Sequence, residues 1–230
     1  MVAFIRRGVF RRRLVILALL VVGAPAARAG VEIGGTDAAP VHTRHAAPLE
    51  IWLGPTFGWR FLTEQAMSET YGTVAIPGLM SATDLADDTR FVLAAGYGFA
   101  QGDPFYDVTG FEGPGTAELT TIPVQVGLQS DISPHPSLRI LCGLSAELVW
   151  MRERLPAAAV AGAPDHEDHD GWGAGLHFTF GPEWRAAAGR RAVGFTLGWA
   201  VSGGEVFSRG QNHEVNLTGA NVQCHLLWRL

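Results

Sequence analysis

From Leu49 onward, apolar and polar residues alternate along the chain with a period of two. In the first segment every second residue is apolar, from Leu49 through Trp59 to Phe61, and most intervening positions hold glycine, hydroxyl or charged side chains. This spacing is typical of a β-strand with one apolar face. Because the apolar face is the continuous one, the pattern predicts strands that contact lipid outside and line a polar interior.

The same alternation recurs and predicts eight strands, each long enough to cross a bilayer at a tilt. Their ranges are 49–62, 71–85, 90–101, 117–131, 138–152, 171–185, 192–202 and 216–230. In the second strand the outward set is expected to be Val74, Ile76, Met80 and Ala82, although Pro77 removes a ladder bond there. The fold class predicted is all-β, an eight-stranded antiparallel up-and-down transmembrane β-barrel.

The connections between these strands alternate in length. Short turns are predicted at 86–89, 132–137 and 186–190, and longer polar links at 64–70, 102–116, 155–170 and 203–215. Outer-membrane barrels have short periplasmic turns and longer outside loops, so both chain ends are expected in the periplasm.

Outward aromatic residues cluster toward the strand ends. Such rings favour the two membrane–water interfaces, so they predict two girdles of aromatic residues. Phe91 is expected in the girdle on the short-turn side. The candidate interface aromatics are Trp59, Phe61, Tyr97, Phe99, Trp150, Trp172 and Trp199 toward the long links, and Trp184 and Trp228 toward the short turns.

The first 30 residues have the three parts of a secretory signal. A basic segment precedes a short apolar run, and Ala27-Arg28-Ala29 is a cleavage site of the A-x-A type. The expected organisation is a signal peptide at 1–29 cleaved after Ala29, a periplasmic lead-in at 30–48 and the barrel at 49–230. The mature chain would carry 11 arginines, no lysine and 22 acidic residues, a net charge of −11. This balance argues against nucleic acid as a partner.

Two cysteines, Cys142 and Cys224, share the parity of the outward residues of their strands. Those strands are not neighbours in the predicted barrel. We therefore expect two unpaired thiols rather than a disulfide.

The segment 120–148, TTIPVQVGLQSDISPHPSLRILCGLSAEL, resembles the small outer-membrane β-barrels of Gram-negative bacteria, the outer membrane protein β-barrel domain family. The likeness lies in Ile122-Pro123-Val124, the short turn and Gly143. It implies an outer-membrane location, with membrane lipids and the barrel-assembly machinery as partners. Such proteins usually end in an aromatic residue, whereas this chain ends in Leu230 after Trp228.

The inward positions carry charges that predict a filled interior. An eight-stranded barrel leaves room only for side chains, and inward glycines give space to bulky ones. Asp131 and Arg139, on either side of a short turn, are expected to pair. The predicted lumen charge network, read as a structural plug rather than a gated pore, comprises Glu50, Arg90, Asp131, Arg139, Glu147, Glu183, Arg185 and Arg229.

Two constellations suggest chemistry. Ser145 and His177, with Glu147 or Glu183, have the residue types of a hydrolase triad. A polar lumen network is the interpretation we favour, because there is no nucleophile elbow and a filled lumen has no room for a substrate. The run from Asp165 to Asp170 offers histidine and carboxylates to a divalent metal, and is also what a solvated acidic surface loop contains.

We therefore expect a structural or surface-interaction barrel protein, not an enzyme, without a cofactor; the ligand of its surface loops stays open. The alternatives are an outer-membrane lipid-modifying hydrolase and, from a third class, a secreted lipocalin-type binder. A lipocalin has an apolar interior and a polar exterior, the reverse of this pattern.

Overall fold

The computed structural model describes residues 50–86, 88–102, 116–132, 135, 137–156, 166–186, 189–208 and 211–230. The chain divides into the units Met1–Pro48 and Leu49–Leu230, and the second contains every described residue. The predicted signal peptide and lead-in lie outside the described residues.

Ten strands form one antiparallel sheet that closes on itself. The elements are β1 (Ile51–Leu62), α1 (Gln65–Thr70), β2 (Thr73–Ala86), β3 (Thr89–Gly96), β4 (Gly98–Gly102), β5 (Ala117–Asp131), β6 (Leu138–Pro156), β7 (His166–Arg185), β8 (Arg191–Ser208), β9 (Gln211–Asn216) and β10 (Gly219–Arg229). β3 and β4 are one barrel strand interrupted at Tyr97, and β9 and β10 are another interrupted at 217–218. The wall thus has eight strands, which confirms the predicted fold class.

The barrel closes through β1, which pairs with both the second and the last strand. Trp52 lies opposite Ala82 of β2 on one side and opposite Arg229 of β10 on the other. Closure of this kind satisfies the backbone groups that the edge of an open sheet would leave unpaired.

Side chains alternate across the wall as the period-two pattern predicts. In β1 every odd-numbered residue from Ile51 to Phe61 is exposed and every even-numbered one from Trp52 to Leu62 is buried. The predicted outward sets of β3 to β8 and of β10 also lie outside. A continuous exterior of exposed Leu, Val, Ile, Phe and Trp side chains results.

The predicted parity of β2 is wrong. Val74, Met80 and Ala82 are buried inside the barrel, whereas Pro77 and Leu79 are exposed. The error has a physical cause: apolar clusters fill parts of the interior, so an apolar residue on this strand does not mark the lipid side.

Two hairpins on the long-link side are longer than predicted. β6 and β7 stay paired up to Pro156 and His166, and β8 and β9 up to Ser208 and Gln211. Much of the predicted links at 155–170 and 203–215 is therefore strand. Residues 157–165 lie outside the described residues.

The predicted link at 64–70 contains the short helix α1. Its N-cap is Glu64, whose carboxylate accepts a hydrogen bond of 2.9 Å from the Met67 amide. Met67 and Tyr71 are buried in an apolar cluster with Leu62 and Leu119, so this segment covers the interior at the long-link end. Among the described helices, none has the length and apolar character needed to span a bilayer.

Candidate functional site: the barrel interior

The interior at the long-link end is apolar. Side chains from most of the barrel strands and from α1 meet there in one apolar cluster. One buried carboxylate enters this region: Glu153 accepts a hydrogen bond of 2.6 Å from the Tyr71 hydroxyl. The cluster comprises Leu62, Met67, Tyr71, Val74, Ala100, Ala117, Leu119, Val149, Met151, Val206, Val215 and Leu217.

A buried ion pair between Arg60 of β1 and Glu147 of β6 crosses the barrel. The guanidinium donates two hydrogen bonds to the carboxylate, of 3.0 and 2.6 Å, and its Nε donates to Asn221 Oδ1 at 3.0 Å. Gln125 donates to the second carboxylate oxygen at 2.9 Å. The side chains of Arg60 and Glu147 are 3% and 0% exposed. This two-pronged geometry is the strongest form of a guanidinium–carboxylate contact.

A second buried layer is centred on Glu183 of β7. Its carboxylate accepts hydrogen bonds from Arg90 at 2.7 Å and from Arg185 at 3.3 Å, and lies 3.0 Å from His225 Nε2. Arg90 also donates to Gln129 at 2.8 Å. Two arginines and a histidine therefore surround one carboxylate with 0% side-chain exposure.

Toward the short-turn end, Arg185 connects this layer to a second apolar cluster. Its guanidinium lies 4.5 Å from the centre of the Trp52 ring and 3.5 Å from the Asp84 carboxylate. The Trp52 indole donates to the same carboxylate at 3.2 Å. Trp52 packs with Met80, Val92 and Leu227, so this end of the lumen is also filled.

Two further ion pairs lie nearer the solvent. Asp131 and Arg139 are 3.1 Å apart across their short turn, as predicted, and Glu50 and Arg229 are 2.7 Å apart. The side chains of Glu50 and Arg229 are 38% and 35% exposed, so this last pair is at the rim.

The eight residues of the predicted charge network are therefore paired, but in separate groups rather than in one plug. Arg60 was missing from that set although the alternation places it inside the barrel. Arg60 stands between the outward residues Trp59 and Phe61, and this position alone predicts that its side chain points into the barrel. The two apolar clusters were also missed, because nothing in the parity of a strand distinguishes an apolar layer from a polar one.

Two inward glycines make room for histidine rings, in line with the expected space for bulky side chains. A Cβ placed on Gly194 would lie 2.2 Å from the ring of His225, and one on Gly198 would lie 3.2 Å from His177 Nε2. The rings occupy the space that a side chain on the neighbouring strand would otherwise fill.

Ser145 and His177 are cross-strand neighbours but do not form a triad. The Ser145 hydroxyl is 3.4 Å from the backbone carbonyl of His177, to which it donates, and makes no bond to the ring. Glu147 is bonded to Arg60, and Glu183 to Arg90 and His225. Neither of these two carboxylates is hydrogen-bonded to His177, so the described residues do not form the predicted triad.

The acidic run at 165–170 is mostly part of β7, and the expectation of a solvated loop is wrong there. Asp168 accepts hydrogen bonds from Arg152 at 2.5 Å and Arg154 at 3.1 Å, and His169 is buried on the inner face. The bond from Arg152, aided by Arg154, holds the pKa of Asp168 below its usual value. Within the described residues, no group of three or more histidines, cysteines and carboxylates could hold a metal ion. Asp165 lies outside those residues.

The exterior carries the remaining predicted features. Cys142 and Cys224 are free and exposed on the outer face, which confirms that they are unpaired. All nine candidate interface aromatics point outward, and Trp172 is the most exposed of them at 61%.

No protein-family model and no curated protein matches the chain. Among solved structures, the chain is similar to the outer membrane protein OprG from Pseudomonas aeruginosa, with a TM-score of 0.52 at 10% identity, over 79% of this chain and 95% of that one. It is also similar to Neisserial surface protein A, with a TM-score of 0.49 at 12% identity, over 79% of this chain and 97% of that one. The likeness to OprG shows the fold: this chain is an eight-stranded barrel of the type found in small outer-membrane proteins.

Proposed function

We propose that this chain is an outer-membrane protein whose closed barrel is a scaffold that carries the long hairpins at the cell surface, and that it is neither a pore nor an enzyme. One observation carries the proposal: the exterior is continuously apolar while the interior is filled by ion pairs and apolar side chains. An apolar exterior and a filled interior both suit a barrel that acts through the loops and hairpins at its ends.

The exterior favours lipid as its surroundings. Leu53, Leu148, Phe180 and Leu197 are between 44% and 52% exposed, and they belong to one band around the barrel. A soluble monomer rarely exposes an apolar patch of more than a few hundred Å². In hydrocarbon the same side chains are at no disadvantage, and every strand of the closed wall has its backbone groups satisfied.

The interior favours a closed lumen. An ion crossing it would have to pass the apolar cluster under α1, the Arg60–Glu147 pair and the Arg90–Glu183 group in succession. Two cavities in the described part of the barrel measure about 20 and 30 Å³, which is space for single water molecules. Neither of these two cavities has room for a substrate.

The route to the membrane follows from the N-terminal sequence. Export by the signal at 1–29, cleavage after Ala29 and insertion by the barrel-assembly machinery would leave the short turns in the periplasm. The β6–β7 hairpin would then extend outward, since His166 lies six residues beyond Trp172, or about 20 Å along the strand. The ligand of this surface is open.

The two native cysteines allow the membrane placement to be tested without introducing a new cysteine into the apolar band. Variants Cys142→Ser and Cys224→Ser each leave one thiol for a nitroxide label in protein reconstituted into vesicles. We expect both labels to be accessible to oxygen but not to a water-soluble nickel complex. A label at Asp168, exposed on β7 four residues beyond the outward Trp172, is the control and should be accessible to nickel.

Cell fractionation completes the test. The protein is expected in the outer-membrane fraction and should migrate differently on a gel before and after boiling, because a folded barrel resists detergent. Equal access of oxygen and nickel at both cysteines would show that water surrounds the barrel, and would refute the membrane scaffold.

A further inference from the structure

His177 is buried in the lumen with no hydrogen-bond partner for its ring. It is 4% exposed, and neither Nδ1 nor Nε2 is bonded to any described group. An imidazole always has at least one N–H donor, and in its neutral form an acceptor as well. Leaving these groups unsatisfied in a dry interior costs free energy, so native proteins rarely do so.

One small cavity lies beside this ring, and a second small cavity adjoins the first. The first, of about 20 Å³, is lined by His177, Ser145, Thr179 and Gln129, and the second, of about 30 Å³, by Thr56. Gln125, Gln223 and Ala94 line both cavities, so the two spaces share a wall. On β7 the first cavity's residues His177 and Thr179 lie between Gly175, which is paired with Glu147, and Glu183.

We propose that these cavities are a buried hydration site, and that ordered water molecules in them are the hydrogen-bond partners of His177. Each cavity exceeds the 10–15 Å³ that one water requires, and a buried water needs two to four polar partners. The hydroxyls of Ser145 and Thr179 and the amides of Gln125, Gln129 and Gln223 can supply them. A purely apolar void of this size would stay dry.

A second buried histidine, His225, shows how the ring of such a residue is satisfied when a protein group is available. His225 is buried in the same lumen to 3% exposure, but its ring lies 3.0 Å from the Glu183 carboxylate. It needs no water to satisfy that nitrogen. Two buried histidines in one barrel thus differ in whether protein or solvent completes the bonding.

Nuclear magnetic resonance of the labelled barrel in nanodiscs tests the site directly. We expect cross-peaks between water and the ring protons of His177 that persist at mixing times too short for exchange with labile protons. The variant Ala94→Val adds methyl groups at the wall that both cavities share, and should abolish these cross-peaks. The control variant, Ala192→Val, alters a buried alanine of the Trp52 cluster that lines neither cavity and is not paired with His177, and it should leave them unchanged.

The absence of water cross-peaks at His177 in the wild-type protein would overturn the proposal, since the cavities would then be dry. Cross-peaks that survive Ala94→Val at full intensity would also overturn it, because the water would lie elsewhere. Both outcomes are independent of the function of the barrel at the cell surface.

Discussion

Arg60 and Glu147 show at the level of single residues how much the interior depends on complete pairing. Removing Arg60 leaves a carboxylate with 0% exposure facing only Gln125. Breaking a buried pair costs about 3–5 kcal/mol, whereas a pair near the surface contributes about 0–1 kcal/mol. We expect Arg60→Met to lower the free energy of unfolding by about 3–5 kcal/mol in urea titrations of the reconstituted barrel.

Two matched variants control that measurement. Arg229→Met breaks the rim pair with Glu50 and should cost less than about 1 kcal/mol. The double variant Arg60→Met with Glu147→Gln removes both charges and should recover part of the loss. A single Arg60→Met variant as stable as the wild type would mean that water reaches Glu147.

The glycine beneath His225 gives a second expectation. A methyl group on Gly194 would lie 2.2 Å from the ring, which cannot move without leaving Glu183. Overpacking of this kind costs about 1–3 kcal/mol, so Gly194→Ala should lower the urea midpoint. Gly58→Ala, whose nearest contact would be 3.0 Å, is the milder control and should lower it less. Equal effects would show that the ring of His225 moves freely.

At the scale of elements, the alternation of residues predicted the strands in the membrane band well. Each strand has only two faces, and the face that contacts lipid has to be apolar. In β2 the same logic failed, since Val74 and Met80 are apolar but belong to interior clusters. Beyond the band it failed for a different reason. The outer faces of the long hairpins meet water, so Asp168 and Asp170 look like loop residues although they lie on a paired strand.

The sequence could not predict which side chains pair across the barrel. Arg60 and Glu147 are 87 positions apart on strands that are not neighbours, and their meeting depends on the tilt and closure of the whole sheet. The pairing of Asp131 and Arg139 was predictable because a short turn fixes the registration of the two strands that it joins.

The β6–β7 hairpin yields an expectation about pH. Because hydrogen bonds from Arg152 and Arg154 lower the pKa of Asp168, its ion pairs persist below the pH at which a free aspartate is protonated. Any stability they add is present above the unfolded pKa, about 3.9, and is lost as pH falls through the folded pKa. A carboxyl-carbon titration should give Asp168 a pKa below 3.9 that rises in the double variant Arg152→Gln with Arg154→Gln. An unchanged pKa in that variant would show that the arginines do not hold the carboxylate.

At the scale of the whole molecule, the proposed scaffold treats the lumen as a series of barriers to ions. The apolar cluster under α1, the Arg60–Glu147 pair, the Arg90–Glu183 group and the Trp52 cluster lie in different layers. Barriers in series block conduction independently, so opening one of them leaves the path closed at the others.

This arrangement predicts no conductance in planar bilayers, either for the wild type or for variants that open one layer. Arg60→Ser with Glu147→Ser removes the first ion pair and both of its charges while leaving the Glu183 group and both apolar clusters in place. We expect its conductance to equal the wild-type baseline, with a reduced urea midpoint and an unchanged shift on boiling as proof that it is folded. A known porin in the same bilayer establishes that channels would be detected. Stable single-channel steps from this variant alone would mean that the Arg60–Glu147 pair is the only barrier, and the barrel would then be a gated pore rather than a filled scaffold.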